Sequence, residues 1–226
     1  MIKNYKTDFS HEPHEELELI KTSGSYNTWR IYFDCTEHED ERTTETIETI
    51  EKVIKKVTEE DENGETREYE VEEDQKVEKE VETRVYESKY IDITKHKEET
   101  VKALDIIKEL VKSEIEAFDT SDEVNCFYLN GNKVWLDKDT RVGLMNSTSI
   151  QKSAGYEETT LWLGTIPLKI NCDLVIQLLG GLEIYALDCF NKTAEHKKNI
   201  EELTSVKEVA EYDYTVGYPE KLTINV

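Results

Sequence analysis

Residues 43–93 read TTETIETIEKVIKKVTEEDENGETREYEVEEDQKVEKEVETRVYESKYIDI, a run of Glu, Lys, Thr, Val and Ile that is broken at Asp61-Glu62-Asn63-Gly64. Asn-Gly matches the backbone twist of a two-residue hairpin turn, so two strands meeting there are the first expectation. On the C-terminal side Tyr69, Val71, Val77, Val81, Val85, Ile91 and Ile93 all fall on odd positions among mostly charged neighbours. That is the period of a strand, in which alternate side chains share a face. The N-terminal side is ambiguous: Ile47, Ile50, Ile54 and Val57 fit a helical stripe, while Ile50, Ile54 and Thr58 fit one face of a strand. Closing the turn on Asn63-Gly64 sets Ile50 opposite Val77, which favours two strands over a helix followed by a strand. The expectation is therefore a long acidic β-hairpin arm over residues 36–90, with disorder as the competing outcome for so charged a stretch. An isolated ribbon is marginally stable in water, so the arm is expected to lie against a partner or against other copies of the chain. Its candidate interface residues are Ile50, Ile54, Tyr69, Val71, Val77, Val81 and Val85.

Upstream of the arm, Leu17, Leu19, Tyr26, Trp29, Ile31 and Phe33 are interrupted by Ser23-Gly24-Ser25, the pattern of two short strands around a turn. Downstream, Val101, Leu104, Ile107, Leu110, Val111, Ile115 and Phe118 recur every three or four residues, which predicts an amphipathic helix over residues 95–118 with Thr94 as its N-cap. The domain boundary belongs near the start of that helix. The expected division is residues 1–93, a β domain carrying the arm, and residues 94–226, a small α+β domain; the fold class is α+β.

The C-terminal half holds most of the apolar supply. Phe127 to Leu136 reads as a hairpin turning at Asn130-Gly131, followed by a helix from about Arg141 to Ser153 that Asp139 or Thr140 can cap and that ends at Gly155. Thr159–Gly164 and Ile166–Ile170 predict a second hairpin, after which Asn171 or Asp173 caps a long apolar helix. That helix runs on through Thr193, His196, Ile200 and Leu203, breaks at Thr204-Ser205 and restarts over Val206–Ala210. Trp135 and Trp162, one on each hairpin, are expected to share a core rather than to form an exposed patch. Gly180-Gly181 inside the helical pattern suggests close packing against another element.

Charge and composition exclude several classes of function. With 51 acidic against 28 basic residues the formal net charge is -23, the wrong sign for holding a phosphate backbone, so no nucleic acid is expected as a partner. The apolar stretch Leu174–Phe190 carries Gln177, Glu183 and Asp188, so no membrane span is expected. Met1 to Lys6 leads into polar and acidic residues without an apolar segment, so no secretory signal is expected and a cytoplasm is the expected place of synthesis. Cys35, Cys126, Cys172 and Cys189 are widely spaced and read as free thiols.

No residue grouping makes a persuasive active site. His11, His14, Cys35 and His38 have zinc-ligand chemistry, but Pro13 and the flanking charges describe an exposed segment, and no metal is expected there. Cys126, Cys172 and Cys189 sit among apolar neighbours, and His196 is too far along the helix from Cys189 to activate it. Glu72-Glu73 and Glu157-Glu158 arise from composition, and there is no phosphate-binding glycine loop. The expectation is a non-enzymatic protein without a cofactor.

Four features taken in order, Tyr128-Leu129-Asn130-Gly131, the step from Asp137 to Arg141 into a helix, the Trp162 hairpin, and a tail in which His196, Ile200 and Leu203 precede Asp213-x-x-x-Gly217-Tyr218-Pro219, resemble a domain of unknown function of tailed bacteriophages found with tail-fibre and tail-assembly genes. The resemblance covers residues 95–226. The long helix here is more acidic and poorer in alanine than the family pattern, and the arm has no counterpart in it. The resemblance implies a virion protein of the tail or tail fibres, assembled in the host cytoplasm, whose partners are other phage structural proteins or copies of itself, with no family active site to carry over. The alternative it leaves is a tail-fibre assembly chaperone absent from the mature particle.

Overall fold

The computed structural model describes residues 2–39, 43–60, 66–163 and 166–225, apart from the side chains at 45, 59, 60, 66, 67, 69, 163 and 166. The fold is α+β, and the chain forms two compact units: Tyr5–Lys97, and Glu98–Val226 together with Met1–Asn4. The sequence division at 93/94 thus moves to 97/98, and four N-terminal residues belong with the C-terminal unit. Ile2 accounts for the second shift: its side chain is buried and its amide donates to the Ala210 carbonyl at 3.0 Å.

The Tyr5–Lys97 unit contains a four-stranded antiparallel sheet of β1 (Lys6–Ser10), β2 (Leu17–Ser23), β3 (Tyr26–Glu37) and β6 (Tyr86–His96) in the order β1-β6-β3-β2. Ile31 faces Ile91 across β3 and β6 and is fully buried. A bulge between Tyr32 and Asp34 shifts the register, and Ile31, Tyr32 and Phe33 are buried in succession. Tyr32 is sandwiched between the stacked His14 ring, 4.1 Å away, and Tyr90 at 5.5 Å. Beside them the Arg30 guanidinium lies over the Tyr90 ring and donates to Asp92 at 2.8 Å, while Lys6 donates to the same carboxylate at 2.9 Å. These two cations hold the Asp92 carboxyl below its usual range.

Between β3 and β6 the chain leaves the sheet as β4 (Thr43–Glu60) and β5 (Thr66–Thr83), which among the described residues pair only with each other. Both halves of the arm are strands, so the helical reading of residues 47–57 does not hold: Ile, Val and Thr at ten of the eighteen β4 positions are β-branched and favour the extended backbone. The ladder runs without interruption from Thr43↔Thr83 to Glu60↔Thr66. Ile50 consequently faces Lys76, and Val77 faces Thr49, one residue away from the pairing expected from a two-residue turn. The strands are joined by residues 61–65, so the Asn63-Gly64 turn lies outside the described residues.

The C-terminal unit is organised by α3 (Cys172–Glu202), with α1 (Ala103–Asp119) and α2 (Lys138–Ser153) packed on it and α4 (Val206–Glu211) packed on α1. The first helix starts eight residues later than expected because β6 keeps pairing with β3 as far as His96, where Thr94 lies opposite Thr28. Asn130 and Gly131, both with positive φ, turn the hairpin of β7 (Phe127–Leu129) and β8 (Asn132–Val134). Asp137, rather than Asp139 or Thr140, caps α2 by accepting the Thr140 amide at 2.7 Å. Asn171 caps α3 and Ser205 caps α4. The hairpin of β9 (Glu158–Leu163) and β10 (Ile166–Asn171) adds Leu161 and Ile170 to a core that includes Phe127, Val175, Leu179, Leu182 and Tyr185. Finally β11 (Thr223–Ile224) returns to pair in parallel with β7.

Two packing expectations fail. Trp135 is half-buried against Tyr185, but Trp162 is 64% exposed, so the two tryptophans do not share a core. Gly180 and Gly181 have open space where a Cβ would stand, so no close approach explains them.

Candidate functional site

The arm is where the sequence placed the interface residues, and its ladder sorts them onto two faces. Because paired positions add to an even number, odd residues of β4 share a face with odd residues of β5, and even with even. Val71, Val77 and Val81 lie on the odd face with Ile47, Val53 and Val57. Ile50 and Ile54 lie on the other face, 68% and 61% exposed. Tyr69 occupies an odd register position opposite Val57, but its side chain lies outside the described residues. Val85 belongs to neither face: it follows β5, is half-buried, and its carbonyl accepts the His38 amide at 2.8 Å at the base of the arm.

The two faces differ in charge. Among the described side chains the odd face carries two carboxylates, Glu51 and Glu73, and two lysines, Lys55 and Lys79, joined in the ion pairs Lys55–Glu73 and Lys79–Glu51. The even face carries eight carboxylates, Glu48, Glu68, Glu70, Glu72, Asp74, Glu78, Glu80 and Glu82, against Lys52, Lys56 and Lys76. The sequence reading singled out the apolar residues and missed this row of β5 carboxylates. Its signal is the even-position Glu and Asp alternation from 68 to 82, whose significance depends on knowing which β4 residues stand opposite.

The zinc-type residues are each engaged separately. A ring N–H of His11 donates to the Arg84 carbonyl at 3.1 Å, His14 stacks on Tyr32 and pairs with Glu18 at 3.2 Å, His38 pairs with Glu87 at 3.0 Å, and Cys35 is exposed. Among the described residues no three His, Cys, Asp or Glu side chains converge as a metal site.

In the C-terminal unit Cys126, Cys172 and Cys189 are buried, and burial pushes the Cys189 thiol up, away from the reactive thiolate. His196 is almost fully buried in a chain of hydrogen bonds: Asn199 Nδ2 donates to the Tyr212 hydroxyl at 3.0 Å, and that hydroxyl lies 2.8 Å from His196 Nδ1. On its other side Nε2 donates to the Val216 carbonyl at 3.0 Å. Burial holds the imidazole below its usual pKa, as a neutral ring whose two nitrogens both serve the tail.

A groove of about 470 Å³ beside α3 is walled by Asp119, Asn125, Trp135, Arg141, Leu187 and Phe190 among others. Its strongest polar groups are committed to the fold. Arg141 donates to the Leu136 carbonyl and to Glu183, both at 2.7 Å, and lies over the Trp135 ring, while Asp119 accepts the Thr193 hydroxyl at 2.6 Å. No helix of the described residues is long and apolar enough to cross a membrane.

No family model matches the chain, and neither the curated proteins nor the solved structures contain a detectable relative.

Proposed function

We propose that this protein is a non-enzymatic structural or adaptor component of a bacteriophage virion, of the tail or its fibres, acting through protein–protein contacts of its arm. The observation that carries the reading is the arm itself: 18 consecutive cross-strand pairs that form a two-stranded sheet of their own among the described residues. A ribbon of that length, with alternating apolar and charged faces exposed, is suited to lie along another protein. The reading of the C-terminal unit as non-catalytic is supported by His196, Arg141 and Cys189, whose polar atoms are used or silenced by packing. The phage setting is supported by the order of motifs over residues 95–226, and on that reading the protein is carried in the particle after assembly in the host cytoplasm.

The test is mass spectrometry of gradient-purified particles, with copy number measured against the major capsid protein. A fixed multiple of the tail symmetry is the expected result. Absence from particles with abundance in the lysate overturns the virion reading in favour of an assembly chaperone.

A further inference from the structure

The arm has one face that a second acidic chain can approach and one that it cannot. On the odd face, Ile47, Val53, Val57, Val71, Val77 and Val81 form an apolar strip whose four described charges cancel within their own ion pairs. Side chains on this strip are already partly covered by their cross-strand neighbours: Ile47, Val53, Val71 and Val81 are 37–41% exposed, and Val57 and Val77 are half-buried. On the even face eight carboxylates stand against three lysines among the described side chains, an excess of five negative charges per copy.

We propose that the odd face of the arm is a homotypic contact, packing face to face on the same face of the arm of a second copy. This rests on the reading of the arm as the contact element and names its partner. In a chain of net charge -23, most encounters between copies are repulsive. Two even faces brought to the ~10 Å spacing of packed sheets would oppose two like-charged rows. An odd face laid on an even one would remove carboxylates from water without giving them cations. Two odd faces meet with their described charges already joined in ion pairs on either side and leave both acidic rows on the outside, at their greatest separation.

The dimensions suffice for such a pairing. Strands of 18 residues at a rise of ~3.3 Å per residue and a ribbon ~10 Å wide give roughly 500–600 Å² of face per copy. The two faces together then bury about 1,000–1,200 Å², the lower bound for a specific protein–protein contact. The contact is isologous, so a change in one valine is felt twice. It also supplies the cover that a free ribbon lacks, turning two marginal hairpins into a small two-layer sandwich.

The experiment uses the full chain in physiological salt, with mass measured by light scattering after size exclusion over a range of about 1 to 100 μM. A species of twice the 26.4 kDa chain mass is expected. Val53→Lys with Val77→Lys should weaken association at least tenfold while leaving the circular dichroism of the chain unchanged. Ile50→Lys with Ile54→Lys, on the even face, should leave association intact. A second readout does not depend on charge: in a Cys35→Ser background, Val71→Cys should cross-link two chains under mild oxidation and Glu72→Cys should not. A monomer at every concentration, a dimer insensitive to the Val53/Val77 pair, or equal cross-linking through position 72 overturns the proposal. A chain that is monomeric in solution yet present in particles at fixed copy number refutes the homotypic contact alone. A dimer absent from particles refutes the virion reading alone.

Discussion

Replacing His196 by Phe keeps a ring of similar size in the tail's anchor and removes both of its hydrogen bonds. In the structure Nε2 faces the Val216 carbonyl, so Nε2 carries the proton and Nδ1 accepts the Tyr212 hydroxyl, which itself accepts from Asn199. Two net hydrogen bonds of about 1 kcal/mol each, together with the cost of leaving a buried partner unsatisfied, give a loss of about 2–4 kcal/mol. For a unit of this size that corresponds to a fall in Tm of roughly 10 °C. The effect carries a pH signature. Burial depresses the folded-state pKa of His196, so the unfolded chain takes up a proton near pH 6.5 while the folded chain does not. The contribution of His196 is fully present above pH 6.5 and is lost as the pH falls from there toward the depressed folded value. The assay is urea unfolding followed by tryptophan fluorescence and far-UV circular dichroism for wild type and His196→Phe at pH 8 and pH 5. The wild type should be the more stable at pH 8, and the gap should narrow at pH 5. Equal stabilities at pH 8, or a gap independent of pH, would refute the account of the tail as held by a neutral imidazole.

Phe127, fully buried at the centre of the C-terminal core, should cost about 3–5 kcal/mol when replaced by Ala, read from the same denaturation curves. Ser88 is buried in β6 with its hydroxyl unpaired, so Ser88→Ala should leave the stability of the sheet unit unchanged or raise it slightly, by less than about 1 kcal/mol. Asp92→Asn removes the carboxylate shared by Arg30 and Lys6, groups that remain partly in contact with water, so a loss of about 1 kcal/mol at pH 7 is expected. Because the Asp92 carboxyl is depressed, that contribution is present above pH 4 and disappears as the pH falls through its folded value, so wild type and Asp92→Asn should converge in acid.

Much of this architecture is legible in local pattern. Odd-position apolar residues from 69 to 81 specify a strand, Asn130-Gly131 specifies a turn, and Ile107, Val111 and Ile115 mark the buried stripe of α1. What local pattern does not carry is the partner of each element. Thr94 looks like a helix cap until β3 is known to pair with it, and Trp162 looks like a core residue until the side of the hairpin that meets α2 is known. The arm is the sharpest case. A two-residue turn at Asn63-Gly64 and the connection over 61–65 differ by one step in register, and one step moves Ile50 from the valine face to the carboxylate face. The candidate interface residues were therefore grouped as one surface, when Ile50 and Ile54 lie on one face of the arm and Val71, Val77 and Val81 on the other.

The chain enters the sheet unit after Asn4 and leaves it at Lys97, and residues on both sides of that excursion belong to the helical unit. The sheet unit is thus tied into the chain by two covalent leads rather than one, and the arm in turn hangs from the sheet by two, at the ends of β3 and β6. A pull along the arm is shared between β4 and β5, which are loaded side by side in the same direction, so tension does not peel their hydrogen bonds apart rung by rung.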